Sequence, residues 1–186
     1  MKKKSVWLAV GVTVLLALTM CHSRINYPNA NKQLYVLVNL HPDEGHLRMY
    51  SVNYQREGLI KYCTPMTILD VSEKQAKIRD DATGKVYTYL LQTKTMRTSI
   101  EEHLNKLFAE SCDRTTVDKM SPVDKEGIES GTVKTGMSKE AVLVAIGYPP
   151  ESETPDLASD RWKYWTNRML TFVVEFKDGV VSNIIR

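Results

Sequence analysis

An α+β protein in two parts, a β-rich small barrel followed by an ααβββ unit, is what the sequence predicts. Three observations carry this. From Tyr35 to Leu91 short β-type runs alternate with turn signals; a single capped amphipathic helix follows; and the last third reads as two capped helices and three β-type runs. The chain has 186 residues, a net charge of +3 and three cysteines.

The first element is a leader, read over residues 1–23. Lys2, Lys3 and Lys4 precede an uncharged apolar run from Val6 to Met20, the n-region and h-region of a secretory signal. Such a run makes roughly 22 Å of helix, short of the ~30 Å hydrocarbon core, so cleavage is expected over permanent anchoring. Two cleavage patterns overlap. Leu18-Thr19-Met20-Cys21 looks like a lipobox, which would acylate Cys21, although Met20 stands where a small residue is preferred. Cys21-His22-Ser23 offers small residues for ordinary signal peptidase, which would release a soluble protein starting at Arg24.

Losing the leader removes three of the 25 Lys and Arg, which then equal the 22 Asp and Glu. The exported body is formally neutral, which gives no electrostatic case for nucleic acid as a partner. Export also bears on the thiols. Cys63 and Cys112 are the two cysteines left in the body, and an oxidising compartment favours a disulfide between them.

The front domain is read over residues 33–112. Its β-type runs are Tyr35–Leu40, Leu47–Tyr54, Leu59–Tyr62, Met66–Val71, Gln75–Arg79 and Val86–Leu91. Most are separated by turn formers, as at Pro42-Asp43-Glu44-Gly45, Arg56-Glu57-Gly58 and Asp80-Asp81-Ala82-Thr83-Gly84. Val86–Leu91 is apolar on both faces, which suits a central strand. Ser99 then caps a helix, with Glu102 completing a capping box and Ile100, Leu104, Leu107 and Phe108 forming its apolar stripe.

The second domain is read over residues 121–186. Ser121-Pro122 reads as the N-cap and first residue of a helix ending near Gly131. Ser138 caps another, Lys139 to Ile146, which Gly147 and Pro149-Pro150 stop. Three β-type runs finish the chain, Trp162–Trp165, Leu170–Phe176 and Val180–Ile185, and Asp178-Gly179 is a two-residue hairpin signal. Leu170, Phe172, Val174 and Phe176 alternate with other residues and mark one buried face. There is no internal repeat or low-complexity tract.

Thr135-Gly136-Met137-Ser138-Lys139-Glu140-Ala141-Val142, Ile146-Gly147-Tyr148-Pro149, Trp162-Lys163-Tyr164-Trp165 and Phe176-Lys177-Asp178-Gly179-Val180-Val181 together resemble the SmpA/OmlA family, which includes the BamE-like lipoproteins of outer-membrane barrel assembly. The resemblance covers roughly the last third of the chain. It implies an ααβββ periplasmic module, often lipid-anchored in the outer membrane, that binds proteins without catalytic residues or a cofactor. The front half more loosely resembles bacterial SH3-like modules, which bind peptides or cell-wall material.

Few residues suggest chemistry. His41-Pro42-Asp43-Glu44-Gly45-His46 gathers possible ligands, but Pro42 and Gly45 make it a turn without helical i, i+4 spacing, so a solvated loop is expected and no metal. Cys63 with His103 is the one conceivable nucleophile and base, the basis of an alternative reading as a cell-wall or thiol-dependent hydrolase. No Gly-rich phosphate loop or Gly-x-Ser-x-Gly elbow occurs. Trp162 and Tyr164 share a strand face that suits a core. Trp165 on the opposite face, and Tyr148 beside Pro149, are the candidates for contact with a partner from the envelope or cell wall. A non-enzymatic envelope protein is the expected function.

Overall fold

The protein is described by a computed structural model covering residues 23–186; the expected leader, but for Ser23, lies outside the described residues, and Cys21 with it. It is a mixed α+β molecule built on a curled six-stranded sheet and a separate three-stranded sheet. No helix among the described residues is long and apolar enough to cross a membrane.

The six-stranded sheet contains β1 (Gln33–Val36), β2 (Arg48–Tyr50), β3 (Pro65–Ser72), β4 (Gln75–Asp80), β5 (Val86–Leu90) and β6 (Phe108–Ala109), in the order β2-β5-β4-β3-β1-β6. β5 is therefore interior, as expected of a central strand, although only Tyr87 and Tyr89 are fully buried and Val86 on its other face is 38% exposed. β2 pairs with it in parallel, Arg48 opposite Thr88 and Tyr50 opposite Leu90; the remaining pairs are antiparallel. Alternation puts Ala76, Ile78, Tyr87 and Tyr89 on the concave side. There they meet Ile100, Leu104 and Leu107 of α1 (Ile100–Leu107), which Ser99 and Glu102 start with a reciprocal capping box.

Several front-half expectations change. The runs read as Tyr35–Leu40 and Leu47–Tyr54 are strands only over Gln33–Val36 and Arg48–Tyr50, the chain turning after each. Phe108 belongs to the same core but leaves α1 in an extended conformation and pairs with Val36 as part of β6. Leu59–Tyr62 is not a strand: Ile60 makes a lone bridge with Leu40, the Tyr62 amide donates to the Asn39 side chain, and Cys63 turns the chain at a positive φ of 64°.

α2 (Thr115–Asp118) is a single turn that buries none of its residues. The second half is ααβββ: α3 (Pro122–Ser130), α4 (Lys139–Ile146), β7 (Arg161–Trp165), β8 (Thr171–Lys177) and β9 (Val180–Ile185), with the strands antiparallel in sequence order. Asp178 and Gly179 both have positive φ, 54° and 80°, as a type I′ turn needs. Trp162, Tyr164, Phe172, Val174 and Phe176 pack against Ala141, Val142, Ala145 and Ile146 of α4. Asp124 ties the helices together, closing the Ser121 capping box and accepting from the Ser138 amide at 2.7 Å.

Candidate functional site

The site is set by how the two halves join. A short helix leaves its last four carbonyls without intrahelical partners. Those of α4 are all taken: Leu143 by the Gly147 N–H at 2.8 Å, Val144 by the Asn39 N–H at 2.7 Å, Ala145 by the Asn39 Nδ2 at 3.2 Å and Ile146 by the Asn53 Nδ2 at 2.8 Å. Three of these four donors come from the front half. Asn39 Nδ2 also reaches the Ile128 carbonyl of α3 at 2.6 Å, and the Asn53 Oδ1 accepts from the His41 amide at 2.9 Å. Gly147, at φ 79°, sits so close that a Cβ would lie 2.8 Å from Asn53 Nδ2; glycine is required there for both conformation and room. The halves are joined by a hydrogen-bonded seam.

Beside this seam, α1 and the chain after α4 enclose a recess of about 240 Å³ lined by Arg97, Lys106, Tyr148, Pro149, Glu151 and Thr154, among others. Glu151 straps its two walls together, accepting from the Arg97 N–H at 2.7 Å, the Thr98 N–H at 3.2 Å and the Thr98 hydroxyl at 3.3 Å. The Lys106 ammonium stands 4.1 Å from the centre of the Tyr148 ring, a cation–π geometry. Burial pushes the Tyr148 hydroxyl up from its ordinary pKa. Among the described residues, neither Arg97 nor Lys106 has an ion-pair partner. With two cations against the single carboxylate of Glu151, whose oxygens are taken by the Arg97 and Thr98 donors, the recess keeps a net positive charge beside an aromatic wall and can hold a carboxylate next to an apolar group.

Tyr148 is thus half-buried at the seam, with its ring packed on the front core and its edge on the recess. Trp165 does lie opposite Trp162 and Tyr164, but it is partly buried against the front core and its indole nitrogen is buried without a hydrogen-bond partner. No family model, curated protein or solved structure matches this chain.

Cys63 and Cys112 are joined by a disulfide, with their Cα atoms 5.6 Å apart. The Cys63 sulfur is therefore bonded, and His103 is 1% exposed in the core of the front half, its ring 5.9 Å from that of Tyr89. The two histidines of the 41–46 turn diverge. His41 is buried against the seam, where a Cβ on Gly131 would lie 3.0 Å from its Cε1; His46 is exposed and its Nδ1 lies 2.9 Å from the Asp43 carboxylate. No group of three metal-ligating side chains occurs among the described residues. Asn39, Asn53, Arg97, Lys106 and Glu151 carry no sequence signal, since each acts through a distant segment.

His103 gives the protein a pH dependence. Burial, reinforced by the nearby Lys106 charge and partly offset by Glu151, lowers its pKa from 6.5 to about 4. The unfolded chain takes up this proton near 6.5 and the folded one only near 4, so stability is complete above pH 6.5 and falls as pH drops through that window. The expected loss by pH 4 is about 3 kcal/mol, and burial of His41 acts in the same direction. Urea midpoints measured from pH 7 to pH 4 should decline less steeply in His103→Leu than in the parent; parallel declines would assign the effect elsewhere.

Proposed function

We propose that this protein is a non-enzymatic component of the bacterial cell envelope, exported by its leader and held at the outer membrane by acylation of Cys21. Its body binds another envelope protein. In this reading the second half is an SmpA/OmlA-like, BamE-like module and the curled front sheet an SH3-like one, with the parallel β2–β5 pair as its departure from an antiparallel barrel. The ααβββ order of the second half and the oxidised cysteine pair support it. The bonded sulfur of Cys63 and the buried ring of His103 weigh for binding over thiol-dependent hydrolysis.

The observation that carries the proposal is the recess at Tyr148, where Arg97 and Lys106 outnumber the one lining carboxylate, Glu151, which is bonded to the Arg97 and Thr98 amides and the Thr98 hydroxyl. It suits an extended acidic segment, with a carboxylate at the two cations and an apolar residue against Pro149 and the edge of Tyr148. A photo-crosslinking amino acid placed at Tyr148 in cells is expected to capture one discrete envelope protein. Arg97→Glu with Lys106→Glu should reduce that adduct by roughly tenfold, the equivalent of about 1.4 kcal/mol. No adduct at Tyr148 in intact envelopes, or an adduct unaffected by the charge reversal, would overturn the assignment.

A further inference from the structure

The chain is pinned to the body as soon as it enters it. Arg24 bridges to Ser72 at the end of β3, and its guanidinium pairs with Asp70 at 3.4 Å. The Ile25 N–H donates to the Val71 carbonyl at 2.8 Å and the Asn31 N–H to the Ile68 carbonyl at 2.8 Å, so residues 24–31 run antiparallel to β3 and start at its C-terminal end. Tyr27 is buried, and its hydroxyl donates to Asn105 Oδ1 on α1 at 2.8 Å. Only His22 and Ser23 stand between Cys21 and Arg24. At no more than ~3.6 Å per residue, that separation spans about 11 Å at most.

The end of the front sheet at which the chain enters is built from neighbouring turns. Ser72 pairs with Gln75 across the β3–β4 turn, Gln75 pairs with Leu90 on β5, and the Leu91 N–H donates to the Lys74 carbonyl at 2.8 Å. Glu73 and Lys74 are exposed there, as are Thr93 and Lys94 in the loop that follows Leu91. The charges are mixed: Lys74 and Lys94 stand against Glu73, Arg24 is paired to Asp70, and Glu101 and Glu102 begin α1 beyond that loop. None of the large exposed apolar side chains among the described residues lies in residues 72–75 or 91–98. The β4–β5 turn is at the other end of the sheet, roughly 20 Å away at ~3.3 Å per residue of β4.

We propose that this end of the front sheet, the β3–β4 turn with the loop after Leu91, faces the lipid surface in which the acyl chains on Cys21 are seated. The inference rests on the acylation of Cys21 proposed above. Acylation by itself would leave the body free to turn on a loose tether, and the pinned start removes that freedom. Reach decides the occupant: with the acyl chains in the bilayer and Cys21 at its surface, Arg24 lies within about 11 Å of the headgroups. Because the end is polar and of mixed charge, it lies against the headgroups without entering the acyl region and needs no anionic lipid. Arg97 of the Tyr148 recess is three residues beyond Lys94 in the same loop, which keeps that rim of the recess near the bilayer.

The test uses the full chain, produced in a bacterial host and reconstituted into phosphatidylcholine vesicles that carry a nitroxide quencher on their headgroups. A single dye is attached at Lys74→Cys, Lys94→Cys or Thr83→Cys, all exposed positions, and the intact mass establishes acylation in each preparation. The dyes at positions 74 and 94 are expected to lose most of their fluorescence and the dye at position 83 little, with no change when phosphatidylglycerol is added. A Gly/Ser segment of about twenty residues inserted between Ser23 and Arg24, with a root-mean-square reach of roughly 25 Å, should remove most of that difference. An acylated protein quenched equally at positions 74 and 83, or one whose difference survives the insertion, would overturn the orientation and leave the anchor standing. An unacylated mass would overturn the anchor and the orientation with it.

Discussion

Reduction of the Cys63–Cys112 bond is expected to lower the unfolding free energy by about 4 kcal/mol, the chain-entropy value for a loop of this size; the two cysteines are 49 residues apart. The bond closes a loop from the turn before β3 to the segment after β6. It also holds that segment locally. α2 fully buries none of its residues, and the Tyr62 hydroxyl on the Asp113 carbonyl, at 2.7 Å, is the tie between this segment and the turn before β3 besides the disulfide. Urea titrations with and without a dithiol reductant measure the loss, and Cys63→Ser with Cys112→Ser should reproduce the reduced value. Amide exchange across residues 111–118 should accelerate in the reduced form even where urea is absent. A difference below about 1 kcal/mol between oxidised and reduced protein would show that the bond constrains little that the fold does not already hold. Because Cys63 sits at φ 64°, Cys63→Gly paired with Cys112→Ser should recover about 1 kcal/mol relative to the double serine variant.

What the sequence made legible follows from the range of the forces involved. Ser99, Ser121 and Ser138 cap the helices predicted from them, and Asp178-Gly179 makes the expected turn, because each is decided by hydrogen bonds and φ values within three or four residues. Strand faces were also legible: Trp162 and Tyr164 are buried together and Trp165 points the other way, as a period of two dictates. What Trp165 and Tyr148 face was not legible, since that depends on the arrangement of the halves. The sheet order likewise needed the fold, as β2 chooses β5 as a parallel neighbour across more than thirty intervening residues. The recess draws Arg97 and Lys106 from either end of α1 and Tyr148 from beyond α4. No spacing rule links them.

The seam makes the sharpest demand on a single residue. Asn39→Ala is expected to cost about 4 kcal/mol, because it removes two donors and one acceptor from a wholly buried site. It strands the Ala145 carbonyl and the Tyr62 amide, at roughly 1–3 kcal/mol for each buried group left unpaired, and leaves the Ile128 carbonyl with only the Gly131 N–H. Asn39→Asp should be worse at neutral pH, although it is nearly isosteric and keeps the acceptor for Tyr62. It loses both donors and sets a carboxylate against the C-terminal ends of α3 and α4, where helix dipoles already concentrate negative charge. That placement raises the new carboxyl's pKa above its unfolded value, so the folded state holds its proton at a pH where the unfolded chain has released it. Stability of Asn39→Asp relative to the parent should therefore rise as pH falls from 7 to 5, while Asn39→Ala shows no such recovery. Urea denaturation of the three proteins at both values decides it. If aspartate is tolerated as well as alanine at pH 7, the helix ends are not what the Asn39 side chain holds, and the joining of the two halves rests on apolar packing and on the bonds of the Asn39 backbone and the Asn53 side chain.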